Sequence, residues 1–314
     1  MKAARLLDIC IPSYNRSKEL IQLLRFFDME LGWLEKKLLG YVRIIISDNA
    51  SDDGTEEKLK RLFQDDIVHK ENFEFFRNSF NVGIVANAYK VIGYSCSRYI
   101  WVMGDDDILE EGILHKVLRN CIKYNPNFIF LNHDVLTRKK RSDMVCSNIN
   151  GGYYDNSFQI VKKQLHLNTD ALGFTSAVIF KRFILKRIIS TLPLDGELDY
   201  GWSYLAGIYA SVLGHGYFEQ NIYLHKQSYG CSWDNVFYEA VYGSFCSLKK
   251  LGSLGCDKSI IKEVQKSYIT ETDILYDIIE KILIDDSNSK ICKKFLIKLL
   301  QCDMFAVIKK IRDK

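Results

Sequence analysis

YIWVMGDDDILEEG, residues 99–112, sets an apolar run directly against three consecutive aspartates, Asp105, Asp106 and Asp107. The apolar run predicts a buried β-strand, and the aspartates follow its carboxyl end. Crowded like charges repel one another, so a bound cation would reduce the repulsion between these carboxylates. Mg²⁺ and Mn²⁺ bind one or two protein carboxylates together with phosphate oxygens, which favours a metal-diphosphate site. The alternative is an acidic turn that caps a helix beginning near Leu109.

The direction of each carboxylate depends on the backbone through the triplet. If the extended geometry of the strand continues, side chains alternate between the two faces. Asp105 and Asp107 would then share one face, and Asp106 would point away.

Outward from this strand, short apolar runs alternate with longer helical patterns. This alternation is typical of βα units around a mostly parallel sheet and predicts an α/β fold. The predicted strands are 6–12, 41–47, 72–76 and 98–103, and the predicted helices are 18–31, 55–63 and 84–95. Ligands bind outside the carboxyl ends of the strands in such sheets. The first strand ends on Pro12, Ser13 and Tyr14 and the second on Asp48, so the polar strand ends predict one site.

The segment SDNASDDGTEE, residues 47–57, looks at first like a calcium loop. An EF-hand alignment would put Lys60 at the twelfth position, where a bidentate glutamate is required, so that interpretation fails. Asp53 and Gly54 instead predict a turn before a helix that Thr55 caps. Asp48 directly follows a β-branched strand and remains a candidate ligand-binding carboxylate.

The second half continues with mixed elements. The patterns predict helices at 112–124 and 199–213, strands at 128–135, 171–180 and 216–226, and loops at 138–156 and 227–235. From residue 236 onward the spacing is helical. We therefore predict a catalytic domain over 1–235, with a nucleotide-binding half (1–107) and an acceptor half (108–235), followed by a helical extension over 236–314.

Composition limits the class of protein. The 314 residues are 47% hydrophobic, enough for a sizeable core, and the net charge of +4 is too balanced to indicate a nucleic-acid partner. Nine cysteines without a CxxC pair indicate reduced thiols. The N-terminus is unlike a signal peptide, and no apolar stretch approaches the roughly 18 residues that span a bilayer. We expect a cytoplasmic protein, at most peripheral on the inner face of the cell membrane.

The order of four motifs is more specific than any one of them. CIPSYNR, IISDNASDDGT, RNSFNVGIVANAY and YIWVMGDDDIL together resemble the family 2 glycosyltransferases of GT-A fold, over roughly residues 5–235. The resemblance implies transfer of a sugar from a nucleotide-sugar donor with inversion at the anomeric carbon. It also implies a divalent metal cofactor, Mn²⁺ or Mg²⁺.

The resemblance assigns roles to individual positions. Those implied for the donor nucleotide are Pro12, Tyr14 and Arg16 around the base, Asp48 on the base edge, Arg77, Asn81 and Gly83 beside the nucleotide, and Asp105 and Asp106 near the ribose. Asp107 would bind the metal, with Asp105 as a second ligand. A carboxylate at Asp48 accepts readily from the N3–H of uracil or thymine, which favours UDP or dTDP over CDP.

The family also implies a carboxylate base in the second half, where a sugar hydroxyl must lose its proton as it attacks. In LPLDGELDYGWSYL, Asp199 occupies the corresponding place, and Glu197 and Asp195 remain rivals. Acidic residues also favour a helix N-terminus without any catalytic role.

Two other side chains have two interpretations each, and a third lies in a candidate flap. Trp202 either stacks on a sugar or packs in the core. His225 either reaches the metal or diphosphate or is structural. Trp233 lies in a Gly-containing loop, 227–235, where a flap could close over the donor and contact the sugar.

The C-terminal segment 290–314 predicts a basic amphipathic helix. Its apolar stripe is Cys292, Phe295, Leu296, Leu299, Leu300, Met304, Val307, Ile308 and Ile311. Such a helix packs on protein, through the catalytic domain or self-association, or lies on an anionic membrane surface.

The sequence thus predicts a glycosyltransferase that acts on a saccharide or lipid-linked saccharide acceptor in surface polysaccharide or lipopolysaccharide synthesis. A nucleotidyltransferase is one alternative, although PSYNR stands where a Gly-rich basic loop would hold a triphosphate. A non-catalytic nucleotide-sugar-binding or partner protein is the other.

Overall fold

The computed structural model describes residues 5–136, 150–159, 161, 173–191, 201–227, 237–270, 274–284 and 287–313. Nine strands in these ranges form one sheet, flanked by helices. The strands are β1 (Leu7–Ser13), β2 (Val42–Asp48), β3 (Phe73–Arg77), β4 (Tyr99–Val102), β5 (Ile108–Leu109), β6 (Phe128–Leu136), β7 (Gly152–Tyr154), β8 (Val178–Lys181) and β9 (Gly216–Gln227). Their order is β3-β2-β1-β4-β8-β6-β9-β5, and β7 pairs with β9.

The helices follow the apolar spacing of the sequence. Those in the α/β part are α1 (Ser17–Gly32), α2 (Lys36–Leu39), α3 (Thr55–Asp65), α4 (Ile84–Tyr94), α5 (Ile113–Tyr124), α6 (Arg182–Thr191) and α7 (Trp202–Val212). The C-terminal ones are α8 (Phe237–Ser247), α9 (Lys258–Thr270), α10 (Ile274–Leu283) and α11 (Ser289–Arg312). In α1, for example, buried residues recur three and four positions apart, as an amphipathic helix requires.

The first half of the sheet is parallel, as predicted. β1 lies between β2 and β4 and is parallel to both, and β3 continues the sheet parallel to β2. Every residue of β2 is buried, which suits a parallel strand covered on both faces. Beyond β4 the sheet is mixed, because β8 runs antiparallel to both β4 and β6. The predicted α/β class is confirmed.

Three local predictions differ from the structure. The strand predicted over 171–180 begins only at Val178, because Thr175–Ala177 form a 3₁₀ turn in which the Ser176 carbonyl accepts the indole N–H of Trp101 at 2.7 Å. The loop predicted over 138–156 contains β7, which pairs with β9. Helix α6 follows β8 directly and was not predicted.

The predicted C-terminal stripe is also divided. Its first part is buried, including Cys292, Phe295 and Leu299, whereas Met304, Ile308 and Ile311 are exposed. The backbone is non-helical at Asp303 (φ −154°, ψ 87°), and its carboxylate accepts the N–H of Ala306 at 2.9 Å. Asp303 therefore caps a new helical segment, and beyond the break only part of the predicted stripe, including Val307, stays buried.

The C-terminal helices pack on the α/β part. Tyr204 of α7 meets Tyr268 of α9 edge to face, with ring centroids 5.9 Å apart, and Tyr268 also contacts Phe295 of α11. Of the helices in the described ranges, none is long and apolar enough to cross a membrane.

A buried ion pair fixes the amino ends of the central strands. Asp8 of β1 has no exposed surface, and the Arg43 guanidinium of β2 donates to its two oxygens at 2.9 and 2.8 Å. The carboxylate also accepts the hydroxyl hydrogens of Ser95 and Ser97, which lie between α4 and β4. Burial alone would raise the pKa of Asp8, but the hydrogen bonds from Arg43, Ser97 and Ser95 outweigh it and lower the pKa to about 2.

Asp8→Asn is therefore expected to lower the free energy of unfolding at pH 7 by about 3 kcal/mol, because Arg43 loses its main buried partner. The depressed pKa contributes roughly 2 kcal/mol that is present above the unfolded pKa near 4 and lost as pH falls toward 2. Urea titrations of both proteins from pH 7 to pH 2 measure this difference. A difference that stays constant over that range would contradict the role given to Asp8.

Candidate active site

The carboxyl ends of β1, β2 and β4 meet at one edge of the sheet. Ser13 at the end of β1 is the register partner of Asp48 at the end of β2. The N–H of Met103, just after β4, donates to the Cys10 carbonyl of β1 at 2.9 Å. The sequence-predicted strand ends are therefore brought together.

The loops after β1 and β2 are joined to each other by hydrogen bonds. The Asn15 N–H donates to the Ser51 hydroxyl at 2.8 Å, and the Asp52 N–H donates to the Asn15 side-chain oxygen at 2.9 Å. Asn15 lies in the left-handed region (φ 53°), which Asn tolerates better than most residues. Tyr14, next to it, is 43% exposed, so its ring is accessible at the rim of the site.

Asp48 is enclosed by the chain itself. It has no exposed surface and forms an ion pair with Arg77 and hydrogen bonds with the backbone and hydroxyl of Ser51. Arg77 also donates to the Ser51 carbonyl at 2.8 Å. Arg77 thus covers this carboxylate in the structure. The hydrogen-bonding edge of a nucleobase could reach Asp48 only if Arg77 moved aside.

Asn81 and Gly83 shape the loop before α4. The Asn81 side-chain oxygen accepts from the Asn49 amide at 2.7 Å and from the Gly83 N–H at 2.8 Å. Gly83 has φ 87°, a conformation that favours glycine. Asn81 thereby joins this loop to Asn49, the residue after Asp48.

The aspartate triplet does not alternate as the extended geometry would require. β4 ends at Val102, and the following turn places Asp105 and Asp106 together on the guanidinium of Arg16. Asp105 also accepts the Ser13 hydroxyl hydrogen at 2.6 Å. Asp107 accepts instead from the Ser176 hydroxyl, 69 residues away in sequence. The prediction that Asp105 and Asp107 share a face is thus wrong, because the strand stops before the triplet begins.

Burial raises the pKa values of Asp105 and Asp107. Burial raises the pKa of Asp105 to about 7, even though Ser13 and Arg16 stabilise its charged form. Burial also raises the pKa of Asp107 to about 8; Ser176 opposes this shift, and the charges of Asp106 and Asp105 add to it. A bound cation would oppose both shifts.

The donor set fits Mg²⁺ or Mn²⁺ bound jointly by protein and phosphate. A Cβ added at Gly104 would lie 2.7 Å from an oxygen of Asp107 and 3.3 Å from one of Asp106, so these carboxylates border the space that glycine leaves free. Among the described residues, no group of three or more His, Cys, Asp and Glu side chains is placed to hold a metal. One or two carboxylates plus substrate oxygens is the usual arrangement for these hard cations.

Trp202 and His225 are both buried. Trp202 meets Tyr89 of α4 edge to face at 6.3 Å, which favours its core interpretation. The two ring nitrogens of His225 lie 2.6 Å from an Asp134 oxygen and 2.9 Å from a Glu110 oxygen. With both nitrogens engaged by carboxylates, His225 offers no open position for a metal in this conformation.

Other predicted residues lie outside the described ranges. They are the base candidate Asp199, its rivals Glu197 and Asp195, and Trp233.

The sequence interpretation missed the residues that orient the triplet. Ser13 was recognised only as a polar strand end, and nothing local to Ser176 indicates that it reaches Asp107. Glu110 and Asp134, which bracket His225, were likewise not singled out. The only sequence signal for Ser13 is its place beside Pro12 and Tyr14 at the end of a strand.

Comparison with known proteins identifies the family. The model of glycosyl transferase family 2 matches residues 8–189, more than half of the chain. The chain belongs to glycosyl transferase family 2. It is 36% identical over 113 residues to abequosyltransferase RfbV of Salmonella typhimurium, a stretch that covers 35% of this chain but only 30% of that relative. Family membership confirms the resemblance seen in the motifs.

Solved structures show the same fold for this family 2 chain. S. aureus TarS 1-349 superposes with a TM-score of 0.66 at 12% identity, covering 96% of this chain and 81% of TarS. The mannosyltransferase PcManGT from Pyrobaculum calidifontis, solved with GDP-Man and Mn²⁺, gives 0.56 at 11% identity over 100% of this chain and 89% of its own. The GT-A-like α/β fold with C-terminal helices is confirmed.

Gly104→Ala is expected to weaken Mn²⁺-dependent binding of UDP by about tenfold or more, because the new methyl group displaces the Asp107 carboxylate. Gly93→Ala is the matched control, since an added Cβ there meets no atom within 4 Å and α4 gains helix propensity. Calorimetric titration of both variants gives the affinities. Equal affinities would show that the space at Gly104 does not matter for the site.

Proposed function

We propose that this family 2 protein is a metal-dependent inverting glycosyltransferase that moves a sugar from a nucleotide-sugar to a saccharide or lipid-linked saccharide. The observation that carries the proposal is the aspartate triplet. It follows β4 beside the joined loops of β1 and β2, and burial and mutual repulsion raise the pKa values of Asp105 and Asp107. This is the charge distribution that a metal-diphosphate group would neutralise.

We infer that the donor carries uracil or thymine. A carboxylate at Asp48 accepts from the N3–H of these bases, and Tyr14 offers an exposed ring beside it. Arg77 would have to release Asp48 on binding and would then be free to meet the donor. TarS has been solved with UDP and with UDP-GlcNAc, whereas PcManGT has been solved with GDP-Man, so the inferred base rests on Asp48 rather than on the fold.

Each residue of the triplet has a separate proposed role. Asp107, which accepts a hydroxyl hydrogen bond, would be the main metal ligand, and Asp105 would be the second candidate. Arg16 would keep Asp105 and Asp106 in place through its guanidinium. A divalent cation bound there supplies a positive charge that stabilises the departing diphosphate.

The acceptor hydroxyl requires a base on the other side of the sugar, because inversion by direct displacement brings the nucleophile in opposite the leaving group. We propose Asp199 for this role, with Glu197 as the rival. Both precede α7, whose first residue, Trp202, is buried and packs edge to face on Tyr89 of α4. The ring of Trp202 is thereby assigned to the core rather than to the sugar.

A thermal-shift panel of UDP, dTDP, CDP and GDP with Mn²⁺ tests this proposal in the wild type, Asp107→Asn and Asp199→Asn proteins. UDP or dTDP is expected to stabilise the wild type more than CDP does, since a ligand that binds only the folded state stabilises it. Asp107→Asn should lose this stabilisation. Asp199→Asn should keep it and lose donor turnover by about 100-fold or more, as expected for a removed general base.

Other outcomes would point elsewhere. Equal stabilisation by all four nucleotides would remove the inference about the base. Metal-dependent binding that survives in Asp107→Asn, or turnover that survives in Asp199→Asn, would overturn those assignments. Binding of nucleotide-sugar without any donor turnover would favour the non-catalytic alternative, and a preference for nucleoside triphosphates would favour a nucleotidyltransferase.

The process and location are also proposals. Likeness to an abequosyltransferase supports a role in building a surface polysaccharide or lipopolysaccharide. Contact with a membrane would bring the enzyme to a lipid-linked acceptor. The C-terminal segment of α11 offers a surface for it, since Phe305 is 80% exposed and Ile308 52% exposed beside Lys309 and Arg312.

Phe305→Ser/Ile308→Ser is expected to reduce binding to phosphatidylglycerol vesicles by about tenfold or more, because each exposed side chain would bury apolar area in the lipid. This variant leaves the buried face of α11 intact, including Phe295, whereas deleting the helix would open the core. Val68→Ser/Ile122→Ser removes two other exposed apolar side chains and is the control. Vesicle sedimentation that is equal for both variants would reject membrane contact through this segment.

A further inference from the structure

A cavity lies at the end of β4 opposite the aspartate triplet. It has a volume of about 430 Å³ and is lined by Arg98, Lys181, Arg182, Phe183 and Lys186. Arg98 immediately precedes β4, and Tyr99, the first residue of β4, is the register partner of Lys181, the last residue of β8. The Arg182 N–H donates to the Arg98 carbonyl at 2.8 Å, which fixes the start of α6 against the start of β4.

The two lysines of this cavity have neutral partners. Lys181 donates to the side-chain oxygen of Asn127 at 3.3 Å, and Lys186 donates to the carbonyls of Ile92 and Gly93 at 3.1 and 3.0 Å. Within the described part of the chain, no carboxylate forms a salt bridge with any of the four cationic side chains, and no acidic residue lines the cavity. Among the residues that the structure describes, four positive charges are therefore collected without a carboxylate counter-charge.

The surroundings of the two lysines add to this imbalance. Burial lowers the pKa of Lys181, and the positive charge of Arg98 lowers it further. Burial and the positive charge of Arg182 do the same to the pKa of Lys186. Each shift shows that the protonated amine is disfavoured where it stands, and a bound anion would oppose that effect.

Local geometry also favours an anion with several oxygens. Arg182 and Phe183 form the first turn of the ten-residue helix α6, so the positive end of the helix dipole faces the cavity they line. Arginine side chains bind phosphate oxygens in pairs, whereas lysine acts as a point charge. Phe183 is 52% exposed beside the charged side chains, so its ring can contact an apolar part of a phosphate-bearing ligand.

We propose that this cavity, lined by Arg98, Lys181, Arg182, Phe183 and Lys186, binds a phosphate-bearing ligand. The site is separate from the donor site, because the whole of β4 lies between Arg98 and the aspartates. It would take the phosphate without a divalent cation, since the positive charge is supplied by the chain. The phosphate can belong to a soluble molecule or to a lipid headgroup, and the two sources are distinguished by experiment.

The test compares the full-length wild type with Arg98→Gln/Arg182→Gln, which removes two exposed arginines whose guanidinium groups form no salt bridge with any residue that the structure describes. Arg61→Gln/Arg119→Gln is the matched control, because it removes the same charges from exposed positions on α3 and α5 that do not line the cavity. Binding of inorganic pyrophosphate is measured by calorimetry in EDTA, which suppresses metal-dependent binding at the aspartates. Binding to phosphatidylglycerol vesicles is measured by sedimentation, with phosphatidylcholine vesicles as the neutral reference.

The wild type and the control should bind the probes alike. The affinity of the cavity variant should be lower by about tenfold or more. Selective loss of pyrophosphate binding would assign the cavity to a soluble phosphate ligand. Selective loss of vesicle binding alone would assign it to a lipid headgroup. The proposal is overturned if the wild type binds neither probe, or if both double variants lose binding equally, which would indicate only general electrostatic attraction.

Discussion

The buried pairing of Asp8 with Arg43 is the constraint on which the active-site geometry depends. It joins β1 to β2. The hydroxyl groups of Ser95 and Ser97, in the segment just before β4, donate hydrogen bonds to the same carboxylate. A slip of one residue between these strands would separate a fully buried charge from its partners, at a cost of several kcal/mol. The carboxyl ends of the three strands are consequently held in register, and Ser13 stays opposite Asp48.

At that end of the sheet, the distribution of counter-charge differs from one aspartate to the next. Asp48 has Arg77, and Asp105 and Asp106 share Arg16. In the described ranges, Asp107 is met by the Ser176 hydroxyl rather than by a cation. A hydroxyl orients a carboxylate without neutralising it, so the ionised form of Asp107 is less stabilised by the chain than that of Asp105. This is the physical reason for preferring Asp107 over Asp105 as the main metal ligand.

The sequence predicted what periodicity and strand ends can express. The apolar runs located β1 to β4 and the helices α1, α3 and α4 between them, and the polar residues after those runs identified one edge of the sheet. The directions of the triplet side chains could not be predicted, because they depend on where β4 stops. The role of Ser176 and the core position of Trp202 arise from contacts with residues far away in sequence. The break at Asp303 could not be predicted either, because apolar residues recur at helical spacing, every three or four positions, both before and after it.

The two ends of β4 carry opposite charge imbalances, and this has a chemical consequence. Beyond Val102 the chain gathers carboxylates, so a phosphate group can approach only together with a cation. At the other end of β4, where the strand begins at Tyr99, the fold brings together Arg98, Lys181, Arg182 and Lys186, so a phosphate group can approach alone. If both proposals hold, a chelator abolishes phosphate binding at one end and leaves it intact at the other. The dependence on metal, more than the affinity, would then distinguish the two proposed sites on the same strand.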